Sequence, residues 1–491
     1  MARLAVPVPG VSTGPPFFHS TNGHVQGQKE GRRHSIQLSN PIVIKQQQQQ
    51  QQKAKTWGRH ELGRSWLRSF FAGTPVFLAP LACLIFYIAL AHFNGSVAEV
   101  AQAAADEGLY NVFVNYTPRY SSKAAGVLAA WIGLQFVLYF ILPGEVRTGQ
   151  RTPAGHLLSY RMNGLNAWIV SHIILVGLCL GGYLDPGFIP RNWSGLVFAW
   201  NVAGISVTAA AFMKAYLFPT HPEDRKFSGC SLYDFYMGIE LNPRIGKNFD
   251  FKLFTNGRVG MMIWTVIDFS NIAYQYQETG SIGAPIVLVT LLHAFYTIDF
   301  FINEHWYLET IDIAHDHYGF YLSWGCFAFL PVTYTLQTQY LALYPTSPST
   351  LYLSTVTAIG LAGYWMFRAV NDQKLRARRS DGKCMIWGKP AEVIRATYKT
   401  ADGATHKSLL LVSGWWGWSR HANYVGDLLL SWAACALVGT TKVIVWWYIV
   451  YMTILLVHRC LRDEARGKVK YGATWDEYCK RVPYRLVPGI W

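Results

Sequence analysis

Apolar runs of about 20 residues recur along the chain from about position 74 onward, with short polar segments between them. Each run is long enough to cross a hydrocarbon core of roughly 30 Å as a helix. The pattern therefore predicts an all-α polytopic membrane protein with about ten transmembrane helices. The predicted spans lie near 74–94, 123–142, 165–183, 195–217, 259–277, 283–301, 319–341, 349–369, 424–440 and 443–459.

The distribution of basic residues predicts how these spans are oriented. A basic stretch at 53–68 precedes the first span, the loop at 370–412 is basic, and so is the tail after the last span. The positive-inside rule assigns such segments to the cytosol, so both termini are predicted to be cytosolic. The three Asn-x-Ser/Thr sequons, at Asn94, Asn115 and Asn192, all fall at predicted luminal ends.

The first 65 residues differ from the rest of the chain. They are rich in Gly, Pro, Gln and Ser and contain seven consecutive Gln at 46–52. Such a segment cannot bury enough apolar surface to fold, so residues 1–65 are predicted to form a disordered cytosolic tail rather than a signal peptide. Residues 66–491 are predicted to form one transmembrane domain.

Composition narrows the class of function. Charged residues make up 14% of the 491 residues, against about 25% in soluble domains. The net charge of +15 would suit nucleic acid, but it is concentrated in loops where membrane topology explains it, so no nucleic-acid partner is expected. No Cys-x-x-Cys pair occurs and no two His stand three or four apart, so neither a metal site nor a di-iron desaturase is expected.

Polar residues in or beside membrane spans are costly and suggest a site by default. A first group runs through the sixth span and its exit: Tyr296, Asp299, Asn303, Glu304, Asp312, His315, Asp316 and His317. A Tyr hydroxyl beside buried carboxylates can donate a proton. The alternative is that the carboxylates only satisfy backbone or Arg partners between helices, and the sequence leaves both interpretations open.

A second group lies just past the eighth span. Lys374 and Arg378 are four residues apart and would lie on one face of a helix. Such a cationic pair could bind a phosphorylated dinucleotide, although positive-inside charge alone also explains it.

A third group occupies the C-terminal quarter, where Trp416, Arg420, His421, Asn423 and Tyr424 stand close together in sequence. Aromatic rings can stack on bases, Asn can hydrogen-bond a carboxamide and Arg can bind phosphate. An interfacial aromatic belt would explain the Trp residues but not this density of Arg, Asn and Asp. No Gly-x-Gly-x-x-Gly motif follows a predicted strand, so a dinucleotide would have to be bound by membrane helices and their cytosolic ends.

These segments resemble the sterol reductases that saturate ring double bonds, a family that includes sterol Δ14-reductases and part of the lamin B receptor. The resemblance covers roughly residues 70–491. It rests on Leu411–Asp427, Arg462–Tyr484 and Gly238–Gly246. Further segments resemble the branch that acts on the Δ7 bond: Thr152–Gly155, Asn163–Trp168, Lys247–Phe254, Asn303–Leu308 and Thr310–Gly319.

The resemblance implies NADPH-dependent reduction of the C7–C8 bond of a Δ5,7-sterol that enters from an endoplasmic reticulum membrane. It implies a cytosol-facing NADPH pocket mainly within 370–491 and leaves room for a complex with other sterol-biosynthesis enzymes. The implied cofactor contacts are Lys374, Arg378, Leu411, Trp416, Asn423, Tyr424, Asp463, Gly467, Lys468, Val469, Lys470, Tyr471 and Tyr478. The implied proton donors are Tyr296 and the pair Arg459 and Asp463.

Three alternative functions remain at this point. A sterol Δ14-reductase would share most of these motifs. A membrane isoprenylcysteine methyltransferase has a similar C-terminal pattern, but it is much shorter and lacks the motifs at 240–246 and 310–319. A non-enzymatic sterol-binding scaffold should carry a folded nuclear or chromatin-binding domain, which residues 1–65 do not suggest.

Overall fold

The computed structural model describes residues 66–399, 405–440 and 442–491. The predicted disordered tail at 1–65 lies outside these residues. The described chain is mostly helical, as predicted, and it also contains four small antiparallel hairpins that the prediction lacked.

Helices dominate both halves of the described chain. In the first half they are α1 Trp66–Gly73, α2 Pro75–His92, α3 Val97–Asp106, α4 Leu109–Tyr116, α5 Ser122–Ile141, α6 Gly164–Leu180, α7 Phe188–Arg191, α8 Trp193–Leu217, α9 Ser231–Met237 and α10 Phe251–Leu253. In the second half they are α11 Met262–Thr279, α12 Ala284–Ile302, α13 Ile311–Ala314, α14 Phe320–Trp324, α15 Leu330–Thr333, α16 Leu336–Leu343, α17 Thr350–Arg379, α18 Trp415–Trp418, α19 Ala422–Ala436, α20 Trp447–Tyr471 and α21 Ala473–Arg481.

The strands pair with their neighbours in sequence. They are β1 Glu145–Thr148, β2 Ser159–Met162, β3 Arg244–Ile245, β4 Phe249–Asp250, β5 Met385–Ile386, β6 Lys389–Pro390, β7 Val393–Lys399 and β8 Thr405–Leu411. Shorter helical turns are 3-10 at Pro222–Asp224, Glu304–Glu309 and Val443–Trp446 and π at Phe254–Met261 and Gly325–Phe329.

Within the described residues, five helical stretches are long and apolar enough to cross a membrane. They are Trp66–His92, Ser122–Ile141, Trp193–Leu217, Ala284–Ile302 and Val443–Tyr471. The apolar helix α6 is somewhat shorter. Each of the other predicted spans also coincides with helical structure. In these spans, polar residues reduce the mean hydropathy or breaks shorten the helix. The number of transmembrane helices stays a prediction.

Helix α11 shows why a search by mean hydropathy can leave out a predicted span. Its polar side chains are buried and bonded to neighbouring helices. Asp268 accepts hydrogen bonds from Thr338 (Oγ1–Oδ1 2.5 Å) and lies 2.8 Å from His293 Nδ1. Asn271 donates to Thr338 Oγ1 at 3.0 Å. These groups are satisfied inside the protein, which is the condition under which a predicted membrane span can contain them.

One predicted span is interrupted. The span near 319–341 is divided among α14, a π-helical turn, α15 and α16. Pro331 lies in α15 and removes a backbone donor, which limits how far a regular helix can extend through this region. The buried aromatic residues on both sides keep the segment inside the helical core.

Two helices extend well beyond their predicted ends. The helix α17 continues to Arg379 rather than ending near 369, and α20 continues to Tyr471 rather than near 459. Lys374 and Arg378 therefore do share a helix, as the spacing predicted. The extensions carry many of the candidate site residues.

Candidate functional site

Close helix packing positions the two sides of the candidate site. The helix α17 lies against α19 along much of its length. A methyl group added at Gly426 would lie 2.6 Å from the carbonyl oxygen of Gly363, and one added at Gly363 would lie 2.7 Å from the Cβ of Leu429. Glycines thus let the two backbones approach, as in other membrane helix pairs. This contact sets the C-terminal end of α17 beside the N-terminal end of α19.

A large open cleft of about 1970 Å³ lies at these helix ends. Its walls come from the ends of α17 and α20, the start of α19, the β7–β8 hairpin and the loop between β1 and β2. All but one of the predicted cofactor residues line it: Lys374, Arg378, Leu411, Trp416, Asn423, Tyr424, Asp463, Gly467, Val469, Lys470, Tyr471 and Tyr478. Residues distant in sequence are thereby brought into one cavity large enough for a dinucleotide.

Lysine side chains in the cleft lie over aromatic rings. Lys374 Nζ lies 4.6 Å from the centre of the Trp416 ring, and Lys470 Nζ lies 4.0 Å from that of Tyr398. Among the described residues neither lysine has a carboxylate within the 4.0 Å of an ion pair. The Trp416 indole donates to the Val370 carbonyl at 2.8 Å, which holds the ring in place. Aromatic rings therefore hold both lysine ammonium groups in place, and no carboxylate of the described residues neutralises their charge.

The buried polar atoms of the cleft wall that lack partners among the described residues include the side-chain oxygen of Asn423 and Nε2 of His421. The His421 ring stacks on that of Tyr424, with centres 5.2 Å apart and planes 5° apart. A buried polar group without a hydrogen bond is costly. Both atoms therefore fit the amide and hydroxyl groups of a bound dinucleotide.

Two histidines of the cleft, His421 and His315, add no positive charge at neutral pH. Burial lowers the pKa of His421 to about 4. Burial, together with nearby Arg466, lowers the pKa of His315 to about 3. Both imidazoles are neutral at physiological pH, so these two residues do not add to the attraction that Lys and Arg side chains exert on an anionic ligand.

The far wall of the cleft is built from α20, α21 and β8. The Tyr471 hydroxyl lies 3.1 Å from Ser408 Oγ, and Tyr478 is buried. A methyl group at Gly467 would lie 2.6 Å from the Trp475 ring, so this position has to be glycine for the ring to pack there. Gly467 therefore shapes the wall by letting Trp475 approach.

Lys468 is the predicted cofactor residue that the structure does not bring into the cleft. Its ammonium lies 3.2 Å from Asp476 on α21, and both side chains are exposed. Successive residues of a helix differ by about 100° in direction, so a continuous run of five residues cannot all face one cavity. Val469 lines the cleft mouth but is largely exposed.

The proton-donor candidates Tyr296 and Arg459 do not line the cleft either. Tyr296 is half-buried in α12, between the rings of Trp264 and Phe367 at 5.9 and 6.3 Å. It lies in the helical core with the aromatic cluster of Tyr334 and Tyr448.

The predicted pair of Arg459 and Asp463 is not formed. Arg459 Nη2 instead donates to both carboxylate oxygens of Asp312, at 2.8 and 2.7 Å. Asp463 accepts from the Tyr424 hydroxyl at 3.4 Å and lies 3.4 Å from Arg466. A helical spacing of four residues allowed the pair, but a carboxylate from a distant segment binds the arginine more closely.

Most carboxylates of the first polar group have partners of this kind. Glu304 forms a fully buried ion pair with Arg258 at 2.9 Å. Asp299 lies 3.4 Å from Arg368, and Asp316 binds Arg462. The structure thus gives these carboxylates the Arg partners that the structural interpretation expects.

Sequence reasoning missed the cleft residues that come from other segments. They are Arg147, Gln150, Arg151, Glu309, Arg395 and Lys407, among others. Most belong to hairpins or loops whose position depends on tertiary packing. The available sequence signal for the β7–β8 hairpin was the alternation of the apolar Ile394 and Ala396, which are buried, with the polar Arg395 and Thr397.

Arg420 and the chain end explain another part of the C-terminal pattern. Arg420 pairs with Glu464 at 2.5 Å and donates to the Val482 carbonyl at 2.6 Å. The Tyr484 and Arg485 carbonyls accept from the backbone of Arg420 and His421 at 3.0 Å. The chain end therefore secures the segment that carries His421 and Asn423.

The chain resembles known proteins over most of its length. A family model described as the ergosterol biosynthesis ERG4/ERG24 family matches residues 72–491. The chain is 44% identical over 446 residues to 7-dehydrocholesterol reductase of Danio rerio, which spans 87% of this chain and 93% of that protein. It is 42% identical over 445 residues to 7-dehydrocholesterol reductase of Xenopus laevis, with 87% and 94% covered. It is 37% identical over 435 residues to Delta(14)-sterol reductase of Methylotuvimicrobium alcaliphilum, with 88% and 96% covered.

Proposed function

The chain belongs to the ergosterol biosynthesis ERG4/ERG24 family, and from this premise we propose that it reduces the C7–C8 double bond of a Δ5,7-sterol. Relatives that cover most of the chain at 42 and 44% identity carry the name 7-dehydrocholesterol reductase. The chain is an enzyme of the sterol reductase type. The observation that carries the proposal is the single cleft lined by nearly all the predicted cofactor residues.

The proposed cofactor is NADPH. Lys374 and Arg378 would bind its phosphate groups, because both project from one helix end into the cleft. Lys374 has no carboxylate partner among the described residues, and Arg378 is 3.6 Å from the exposed Glu309, with which a phosphate could compete. Asn423 and His421 would accept or donate hydrogen bonds through the side-chain atoms that now lack partners. The rings of Trp416, Tyr471 and Tyr478 offer flat surfaces for its bases.

NADPH, when bound, supplies the hydride for one carbon of the alkene. The chain has to bind and orient both molecules, exclude water and hold the proton for the other carbon. We assign that proton to the Tyr296 hydroxyl, which lies among aromatic rings in the helical core rather than in the open cleft. A water-poor site would strengthen electrostatic stabilisation of positive charge that develops on the sterol ring.

The pair Arg459 and Asp463 has a weaker claim to the proton. Arg459 is bound to both oxygens of Asp312. We propose instead that Arg459 fixes Asp312 and the 310–319 segment against α20. Asp463, which lines the cleft and meets the Tyr424 hydroxyl, stays in the proposed cofactor set.

The proposed topology keeps about ten spans in an endoplasmic reticulum membrane, with both termini and the cleft on the cytosolic side. Contacts at the opposite end from the cleft support the alternation of the spans. Tyr344 donates to the Leu90 carbonyl at 3.1 Å, and Thr346 donates to that of Val438 at 3.1 Å. The sterol would enter the helical core from the bilayer, and the NADPH pocket would lie mainly within 370–491.

A sterol Δ14-reductase is the second candidate. A relative with this activity in its name is 37% identical over most of the chain, against 44% for the Δ7 type. Both activities would use the same cofactor cleft. They differ in which ring double bond is held beside the reactive groups, so a substrate test has to separate them.

The test is to supply membranes that contain the full-length protein with NADPH and, separately, a Δ5,7-sterol or a Δ8,14-sterol. Product identification by mass spectrometry should show loss of the Δ7 bond from the first substrate, and omission of NADPH should stop it. Reduction of the Δ8,14-sterol alone would overturn the assignment in favour of the Δ14 type. Binding of S-adenosylmethionine in place of NADPH would favour a methyltransferase, and binding of neither would favour a scaffold.

A further inference from the structure

Two histidines and a glutamate from separate segments meet beside the cleft. His156 lies in the loop between β1 and β2, while His221 and Glu223 follow α8. His156 Nε2 lies 2.5 Å from Glu223 Oε1, and the two imidazole rings stack with centres 4.0 Å apart. One ligand atom from each side chain lies within 4.8 Å of the other two. We call these three residues the rim triad.

We infer that the rim triad binds one divalent transition-metal ion of the Zn²⁺ class. Two imidazole nitrogens and one carboxylate oxygen are a ligand set that such ions use, with bonds of about 2.0–2.2 Å. Ligand atoms around a tetrahedral ion lie roughly 3.3–3.6 Å apart at those bond lengths, so small side-chain rotations bring the triad to this geometry. A fourth position would stay open to solvent.

A hydrogen bond beside the rim triad joins its two segments. The Ala154 backbone donates to Asp224 Oδ1 at 2.8 Å. Within its own loop, the His156 backbone donates to Thr152 Oγ1 at 3.1 Å, and His317 Nε2 lies 3.1 Å from the Asp224 carbonyl oxygen. These contacts hold in place the backbone that carries the three ligands, so less order has to be gained when an ion binds.

The position of the rim triad indicates what a bound ion would do. Thr152 and Pro153, a few residues before His156, line the cleft. An ion held by His156, His221 and Glu223 would tie this loop to the segment after α8 and so fix part of the cleft rim. The long separation of His156 from the other two ligands explains why local spacing did not predict a metal site.

The test is a Co²⁺ titration of tag-free, full-length protein in detergent micelles after chelator treatment. A saturable visible absorption at one equivalent per chain is expected, and Zn²⁺ should displace it. His156→Gln and His221→Gln should each abolish the saturable absorption. The matched control is His92→Gln, because His92 is exposed at the other end of the bundle and contacts the Tyr87 and Tyr116 rings.

Three results would overturn the inference. The first is saturable absorption that persists in both His156→Gln and His221→Gln. The second is a parent protein that shows no band beyond that of free Co²⁺. The third is a near-ultraviolet charge-transfer band, which would show that the ion is bound by thiolates of the free cysteines rather than by the rim triad. Unchanged thermal unfolding midpoints of the metal-free variants would show that loss of binding does not come from misfolding.

Discussion

The buried pair of Arg258 and Glu304 and the cleft between α17 and α20 use charge in opposite ways. Arg258 is fully buried, and its guanidinium binds Glu304 Oε1 at 2.9 Å and Asn163 Oδ1 at 2.6 Å. Glu304 also accepts from the Gly164 backbone at 2.8 Å. In the cleft, Lys374 lies against an aromatic ring and, among the described residues, has no carboxylate partner.

The difference separates charges that support the fold from charges available to a ligand. Taking an ion from water into a low-dielectric interior is costly unless it is paired and hydrogen-bonded. The Arg258 cluster meets that condition within the chain. In the cleft, Lys374 has no carboxylate partner among the described residues, and Arg378 forms only a longer, solvent-exposed pair with Glu309 at 3.6 Å. An anionic ligand can bind the first and compete for the second. Both groups look alike in sequence as polar residues near membrane spans.

Removing one partner of the buried pair should have the largest effect. Arg258→Ala would leave Glu304 buried without its charge partner, at a cost of about 3–5 kcal/mol. The variant should therefore show a strongly lowered unfolding midpoint and little folded protein in membranes. Fluorescence-detected thermal unfolding in detergent measures the unfolding midpoint and, from the size of the transition, the amount of folded protein.

A double variant sharpens this prediction. Arg258→Met with Glu304→Leu removes both charges and keeps similar volume, so it should recover much of the stability. If Arg258→Ala alone unfolds at the midpoint of the parent protein, the pair does not support the fold.

Replacing the proposed proton donor should have the next largest effect. Tyr296→Phe keeps the ring between Trp264 and Phe367 but removes the hydroxyl. General acids typically contribute about 10²–10⁴-fold to a rate, so turnover with a Δ5,7-sterol should fall on the order of 10³-fold. The KM for NADPH should stay the same, because the residue does not line the cleft.

A matched change tests whether the effect is specific. Tyr334→Phe removes another hydroxyl from the same aromatic cluster and should leave turnover within a few-fold of the parent. Equal turnover of Tyr296→Phe and the parent enzyme would exclude Tyr296 as the acid.

The sequence predicts the helices better than it predicts the partners of polar side chains. Apolar runs locate helical segments because burial in lipid imposes length and composition. The residue pattern also identified Lys374, Asn423 and Tyr424, which the fold brings into one cavity. It could not predict that Arg459 binds Asp312 rather than Asp463, because that contact joins residues far apart in the chain. The positions of the β1–β2 and β7–β8 hairpins in the cleft wall also depend on contacts with distant segments, so the sequence did not predict them.

Removing the cationic pair of the cleft should weaken cofactor binding while stability stays the same. Hydrogen bonds to charged groups contribute about 1.5–3 kcal/mol, and each 1.4 kcal/mol is about tenfold in affinity. Lys374→Ala with Arg378→Ala should therefore raise the KM for NADPH on the order of 10²-fold, with a smaller change in kcat. Steady-state kinetics at varied NADPH concentration measures the changes in KM and in kcat separately.

The matched control for this pair is Arg376→Ala. Arg376 lies on the same helix and carries the same type of charge, but it pairs with Asp372 at 2.8 Å and lies outside the cleft. Replacing Arg376 should change the KM for NADPH by no more than about twofold to threefold. A similar rise for both variants would mean that general positive charge, rather than the cleft geometry, attracts the cofactor.

The smallest expected effect comes from the helix contact that holds the two cleft walls together. Gly426→Ala would set a methyl group 2.6 Å from the Gly363 carbonyl oxygen, and overpacking of this kind costs about 1–3 kcal/mol. Because α19 would move away from α17, Asn423 should shift relative to Lys374, and the KM for NADPH should rise up to about tenfold. Gly177→Ala is the matched control, since a methyl group there meets no atom of the described chain within 4 Å. Alanine favours helix over glycine by about 1 kcal/mol, so the control should be as stable as the parent or more so. If Gly426→Ala behaves like that control in both stability and KM, the close approach of α17 and α19 does not set the cleft geometry.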